Sequence, residues 1–322
     1  MSIATIAKNA NENPVRLPLP AIEFERSLSR RCFLGSGVAF AGCAGLPQAK
    51  RARMGVQLAS VRDLIKAQGL EKTLAELAAL GFEGVELVGQ PGYYGKGVPA
   101  YQGLSAAQIK TALDATGLEP VGAHEAMGDV LPDKIKATLD FVRAYGASFV
   151  ACTMGAPRKA ASAEVSDWWK RKADEFAASA EIAAACGCKI GLHNHGTEFT
   201  PIAGGPSGWE TFFARTSPLV QMEIDTGWAV AEGADPVFWL KKYPGRSYAV
   251  HAKETFSPGS PGILGQPGCG TDGKPLKGVD WPAFLSAMDA DGGVRWCVVE
   301  SEADRTSTRT VREGLAYLRS LG

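Results

Sequence analysis

MGVQLASVRDLIKAQGLEKTLAELAALGFEGVELV, residues 54–88, holds one complete structural repeat. An apolar run of strand length, MGVQLA at 54–59, is followed by Leu64, Leu74, Leu77 and Leu80 in a helical pattern, then Gly81, then a second apolar run, GVELV at 84–88. Helical spacing gathers the leucines on one face, and Gly81 supplies the left-handed stop that ends such a helix. Two strands joined by a crossover of this length run parallel, because an antiparallel pair needs only a tight turn. The turn Leu58-Ala59-Ser60-Val61-Arg62 contains no glycine. It therefore lacks the phosphate-cradling loop that an open, doubly wound nucleotide-binding sheet places after its first strand.

The alternation continues outward to the C-terminus. Six further apolar runs follow: PVGAH (120–124), SFVACTM (148–154), KIGLHN (189–194), LVQMEID (219–225), SYAVHAK (247–253) and RWCVVE (295–300). Helical patterns lie between or after them at 106–115, 135–145, 166–186, 209–213, 236–243, 281–288 and 311–318. Eight strand-helix units predict a closed parallel (β/α)8 TIM barrel, one domain spanning 54–322.

Residues 1–53 read as a signal segment and linker. Ser29-Arg30-Arg31-Cys32-Phe33-Leu34 matches the twin-arginine export pattern, and the Gly/Ala-rich run 35–46 behind it is too short to span a bilayer as a helix. Phe40-Ala41-Gly42-Cys43 is a poor lipobox, so Cys43 is a weak candidate for a lipid anchor. The expectation is handling by the twin-arginine translocase and a periplasmic location, with no stable membrane span. Of 34 basic and 34 acidic groups, eight and three fall in 1–53, leaving 26 basic against 31 acidic in the remainder. A mildly acidic body argues against a nucleic-acid partner. Seven cysteines without a C-x-x-C pair argue against a disulfide framework or a structural zinc knuckle.

In such a barrel the chemistry sits at the carboxyl ends of the strands. The polar residues there are Glu86, His124, Glu125, His193, His195, Glu223, Asp225, His251, Lys253, Glu254, Glu300 and Glu302, a set that includes all four histidines of the chain. Strand side chains alternate, so His193 faces with His195, Glu223 with Asp225, and His251 with Lys253. Asp225, His251 and Glu300 converge from successive strands, with His193 from the strand before. Two oxygen and two nitrogen donors suit a divalent ion such as Mn²⁺, Zn²⁺, Co²⁺ or Mg²⁺. A cation also removes the repulsion and desolvation cost of gathering buried carboxylates.

With these residues in view, the chain from 54 to 322 resembles the sugar phosphate isomerase/epimerase family, the xylose isomerase-like barrels. The resemblance rests on LHNHGTEF, MEIDTGW, ADPVFWLKKYPGR running into VHAKE, and VDWPAFLSAM followed by VVESE, in that order along the chain. It is nearest to an exported subgroup whose fifth strand reads H-N-H. The resemblance implies metal ligation by Asp225, His251 and Glu300, with His193 replacing the acid the family usually carries on strand five. Glu223 is then expected to accept the spare ring hydrogen of His193. His195 is left to contact the substrate as acid, base or hydrogen-bond donor.

The implied chemistry is isomerisation or epimerisation of a keto sugar or related polyol through a metal-stabilised enediolate. The alternatives are a lyase or dehydratase, or a hydrolase, acting on 3-keto-glycosides or inosose-like substrates. Glu300 is the first candidate base, His195 and His124 the next. Lys253 holds or protonates a leaving oxygen, or else pairs with Glu223 or Glu254. Tyr93, Tyr94, Trp168, Trp169 and above all Trp228 are candidates to stack on a sugar ring. Trp228 stands where endonuclease IV carries a further zinc ligand, which argues against a multi-zinc nuclease. The Gly/Pro-rich stretch 255–277 is long for a strand-helix connection and is read as a lid.

Overall fold

The computed structural model describes residues 51–89, 103–157, 160–257, 260–266, 268, 278–291 and 293–322. The twin-arginine stretch, Tyr93, Tyr94 and much of the 255–277 stretch lie outside the described residues.

Eight parallel strands close into a barrel: β1 (Arg53–Gln57), β2 (Gly84–Val88), β3 (Glu119–Glu125), β4 (Phe149–Thr153), β5 (Lys189–His193), β6 (Val220–Asp225), β7 (Ser247–Ala252) and β8 (Trp296–Val299). Each pairs with its neighbours in chain order, and β8 closes on β1. These are the eight apolar runs, with ends displaced by one or two residues. β1 takes in Arg53, one residue before the expected domain start.

Helices α1 (Arg62–Gln68), α2 (Leu70–Ala79), α3 (Ala106–Asp114), α4 (Ile135–Ala144) and α5 (Ser162–Ala185) follow the first four strands. The single helix expected between β1 and β2 is two, because Gly69 adopts φ 93°, a conformation that breaks the hydrogen-bond ladder. After β5 comes α6 (Gly208–Arg215); after β6, α7 (Thr226–Ala231) and α8 (Pro236–Lys242); α9 (Trp281–Asp291) and α10 (Arg309–Ser320) flank β8. The periodicity did not reveal α7, whose six residues are too few to show it. It forms because the Asp225 carboxylate caps it, accepting from Trp228 N at 2.9 Å. The start of the expected lid stretch is a short hairpin, Thr255–Ser257 against Ser260–Pro261.

Two apolar regions hold this frame. One lies between strands and helices, where Ile65, Leu74 and Leu77 pack with strand residues such as Val56 and Val85. The other fills the amino-terminal end of the barrel with Val121, Phe149, Tyr248, Trp296 and Val298. Burying a ring such as Phe149 contributes about 2–3 kcal/mol. The rings fit because β2 and β5 carry glycines beside them. A Cβ on Gly84 would sit 2.6 Å from the Trp296 ring, and one on Gly191 2.9 Å from Phe149.

Above this floor the register sets polar residues against one another. Gln57 lies opposite Glu86, His193 opposite Glu223, and Asp225 opposite His251. No described helix is long and apolar enough to cross a membrane. Among the described residues Cys152, Cys186, Cys188 and Cys297 are free thiols.

Candidate metal centre and active site

The strand ends build two stacked polar layers. In the layer nearer the mouth, His193, Asp225, His251 and Glu300 each bring one nitrogen or oxygen within 4.8 Å of the others. His251 Nδ1 lies 2.6 Å from Glu300 Oε2, and His193 Nε2 lies 3.9 Å from Asp225 Oδ2. Asn194, between the two histidines of β5 and its loop, ties this layer together. Its Oδ1 accepts from Asp225 N at 2.8 Å and its Nδ2 donates to Asp225 O at 3.1 Å.

The deeper layer consists of Gln57, Glu86, His124 and Glu223. Glu86 Oε2 lies 2.6 Å from His251 Nε2 and accepts from Gln57 Nε2 at 2.8 Å. Glu223 Oε2 lies 2.6 Å from His124 Nε2. It is also 3.2 Å from His193 Nδ1, but that pair lacks hydrogen-bond alignment, so the acceptor expected for His193 is engaged with His124 instead. His124 and His251 stack at 5.0 Å with planes 7° apart.

This arrangement is short of positive charge. Burial lifts Asp225 to about 7, against the pull of the Lys253 charge. Burial, then the charge of Glu86, lifts Glu223 to about 7. Burial also pushes Glu86 upward, but the charges of His124 and His251 outweigh it and hold that acid at about 2. For His251 burial favours the neutral ring, yet the carboxylates of Glu223 and Glu86 win and raise its pKa well above the ordinary value. His193 goes the other way, driven well below it by burial and then by the His251 charge.

Asp225 Oδ2 and His193 Nδ1 are buried without a hydrogen-bond partner. An unsatisfied buried polar atom costs about 1–3 kcal/mol, and more when charged. Asp225 Oδ2, left without a hydrogen-bond partner in the mouthward layer of imidazole and carboxylate donors, fits a divalent cation.

Around this layer stand the groups of the barrel's mouth. A cavity of about 350 Å³ is lined by His124, His193, His195, Glu300 and Glu302, together with Arg62 and Arg305. Lys253 is buried, with Nζ 3.2 Å from Glu300 Oε1, 3.1 Å from Glu302 Oε1 and 3.8 Å from Asp225 Oδ2. Its partners are therefore acids of the mouth, not Glu223 or Glu254. Glu254 instead accepts from Trp281 Nε1 at 2.8 Å and from Val279 N at 3.1 Å. His195 is open to the cavity; crowding on its other faces, then the Lys253 charge, lowers its pKa and leaves it neutral.

Glu300 is pinned by both Lys253 and His251. Although burial works against ionisation, the Lys253 charge and the His251 bond hold it well below the usual carboxylate range. Trp228 packs edge-on to His195 at 5.6 Å, with Lys253 Nζ 5.0 Å from its ring centre. Trp168 and Trp169 belong to the packing of α5, where Trp169 meets Phe212 of α6. Gln57, Asn194, Arg62 and Arg305 escaped the sequence reading, because amides and arginines near turns carry no spacing signal. A larger depression of about 910 Å³ between α5 and α6, lined by residues such as Lys170, Glu210 and Arg215, contains none of the strand-end residues.

The comparisons with known proteins agree with this fold. A family described as xylose isomerase-like TIM barrel matches residues 74–321. An inosose dehydratase of Erwinia tasmaniensis is 28% identical, over 75% of this chain and 85% of its own. A sugar phosphate isomerase/epimerase of Parabacteroides distasonis superposes with a TM-score of 0.66 at 23% identity, covering 87% of this chain and 96% of that one. The IOLI protein, whose crystal structure holds a zinc atom, superposes with a TM-score of 0.58 at 17% identity, covering 84% of this chain and 96% of its own.

Proposed function

The chain belongs to the xylose isomerase-like TIM barrel family, and from that premise we propose that it is a metal-dependent isomerase or epimerase of a keto sugar or related polyol. The observation that carries this reading is the convergence of His193, Asp225, His251 and Glu300 beside a cavity that also exposes His195. These four residues hold the divalent ion. When bound, it supplies Lewis acidity toward a carbonyl and its neighbouring hydroxyl, which acidifies the carbon-bound hydrogen between them.

The protein's own groups divide the remaining work. His195, neutral and open to the cavity, removes that hydrogen as general base. Glu300, first among the candidates by position, is a poor base while Lys253 and His251 hold it ionised, and acts as a ligand. His124 is withdrawn from proton transfer by its bond to Glu223, and burial notwithstanding, the charges of Glu86 and Glu223 raise its pKa. Lys253 carries a charge buried against Glu300 and Glu302 and is placed to stabilise negative charge developing on a substrate oxygen. Return of the proton from His195 to the neighbouring carbon, with the hydroxyl proton passing to the former carbonyl oxygen, isomerises the sugar; protonation of the original carbon on its opposite face, with the proton drawn from water, epimerises it.

A dehydratase is the second reading, favoured by the likeness to the inosose dehydratase. There His195 removes the same hydrogen, and the Lys253 ammonium protonates the departing hydroxyl, which leaves as water. Export is part of the proposal and rests on the Arg30-Arg31 pattern. It places the sugar in the periplasm, and fractionation of cells producing the full chain tests it.

Incubation of the metal-loaded protein with keto sugars in deuterated water separates these readings. Deuterium incorporation next to the carbonyl, with a new sugar isomer, supports the first; loss of water supports the second. Turnover with neither exchange nor elimination defeats both.

A further inference from the structure

Glu86 has no assigned role, yet it is fully buried in contact with the imidazole that sits between the two polar layers. Both nitrogens of His251 face a carboxylate at 2.6 Å: Nδ1 faces Glu300 and Nε2 faces Glu86. A neutral imidazole has one lone pair to give and one hydrogen to place. The nitrogen that ligates must present the lone pair, so the other must carry the hydrogen and find an acceptor. The Nδ1 side opens on Glu300, whose other oxygen is 3.2 Å from Lys253 and which lines the cavity. The Nε2 side faces the deep layer, with Glu86 at 2.6 Å and Glu223 at 3.6 Å, both fully buried.

Glu86 is itself held. The β1–β2 register sets it opposite Gln57, whose Nε2 donates to Glu86 Oε2 at 2.8 Å while its Oε1 accepts from Ala59 N at 3.1 Å. A line of hydrogen bonds thus runs from the backbone after β1, across β2, to the ring on β7.

We propose that Glu86, braced by Gln57, is a positioning residue that takes the His251 Nε2 hydrogen and so makes Nδ1 the nitrogen offered to the cation. The inference rests on the reading of the mouthward layer as a cation centre. It assigns the deep layer to orientation rather than to a second ion, even though His124, His193, Glu223 and His251 bring ligand-type atoms within 4.8 Å of one another.

The test uses zinc and the full chain. With only four histidines in the sequence, histidine-selective ¹⁵N labelling and long-range proton-nitrogen correlation read each ring directly. In zinc-loaded wild type, His251 is expected to carry its hydrogen on Nε2, with one zinc bound per chain. Glu86→Gln is expected to weaken zinc binding, measured by chelator competition, by roughly 10- to 100-fold. Gln57→Leu should give a smaller loss in the same direction while Glu86 remains.

A His251 hydrogen on Nδ1 in loaded wild type overturns the proposal without any variant. Unchanged zinc affinity in a folded Glu86→Gln protein overturns it as well, leaving the cation centre standing. Two zinc ions per chain, falling to one in Glu86→Gln, would make Glu86 a ligand and overturn it too. Wild type that takes up no zinc, manganese or cobalt defeats the cation centre itself, and the inference with it.

Discussion

Asp225→Asn is expected to stabilise the metal-free protein, although it removes a carboxylate of the proposed cation centre. Asparagine keeps the shape and the Oδ1 acceptor that caps α7 through Trp228 N, so the local fold is preserved. What it removes is a fully buried charge whose Oδ2 has no hydrogen-bond partner. Raising a carboxyl from an ordinary 3.8 to about 7 makes its ionised form about 4 kcal/mol less stable in the folded state at most. Relaxation and water entry reduce this, and a gain of about 2 kcal/mol is the working figure.

The sign follows from linkage. The folded pKa lies above the unfolded one, so the penalty is absent below about 4, grows as pH rises toward about 7, and is full beyond it. Urea denaturation of the chelated proteins should therefore show Asp225→Asn more stable at pH 8 and equal to wild type at pH 4. Saturating cation should reverse the order, because wild type gains about 2.7 kcal/mol at a hundredfold excess over Kd and the variant does not. If chelated Asp225→Asn is less stable than wild type at pH 8, the buried carboxylate is not a burden that a cation relieves, and the reasoning fails.

Lys253→Met takes one buried counter-charge from Glu300, which keeps His251, and from Glu302, which keeps Arg305, and should destabilise the chelated protein by about 3 kcal/mol, less so with cation bound; equal urea midpoints would refute it. His195→Gln should lower the rate of substrate hydrogen exchange at least about 100-fold while leaving cation affinity within a few-fold. A parallel loss of cation affinity would make His195 a ligand instead. Gly84→Ala forces a Cβ to within 2.6 Å of the Trp296 ring and 2.7 Å of the Glu119 carbonyl, and should lower stability by about 1–3 kcal/mol in thermal unfolding.

The barrel was legible because each strand is buried on both faces, so it stands out as an apolar run between amphipathic stretches. Breaks depended on single residues and were harder to read. Gly69 splits a helix whose leucines alone look continuous, and α7 exists because one side chain caps six residues. The set His193, Asp225, His251 and Glu300 was legible through alternation, which fixes which strand residues face inward. Alternation does not fix height between strands. Glu86 therefore read as one more polar strand end, although register sets it level with Gln57 and under His251. The same gap left Glu223 and Glu254 as the alternative partners of Lys253, whose Nζ instead reaches Glu300 and Glu302.

Phe149, Tyr248 and Trp296 stopper the barrel at its foot with rings. A cation would then reach the carboxylates from the strands' carboxyl ends, where the cavity lies. A cation held at the mouth would slow the trade of hydrogens between water and the buried acids Glu86 and Glu223.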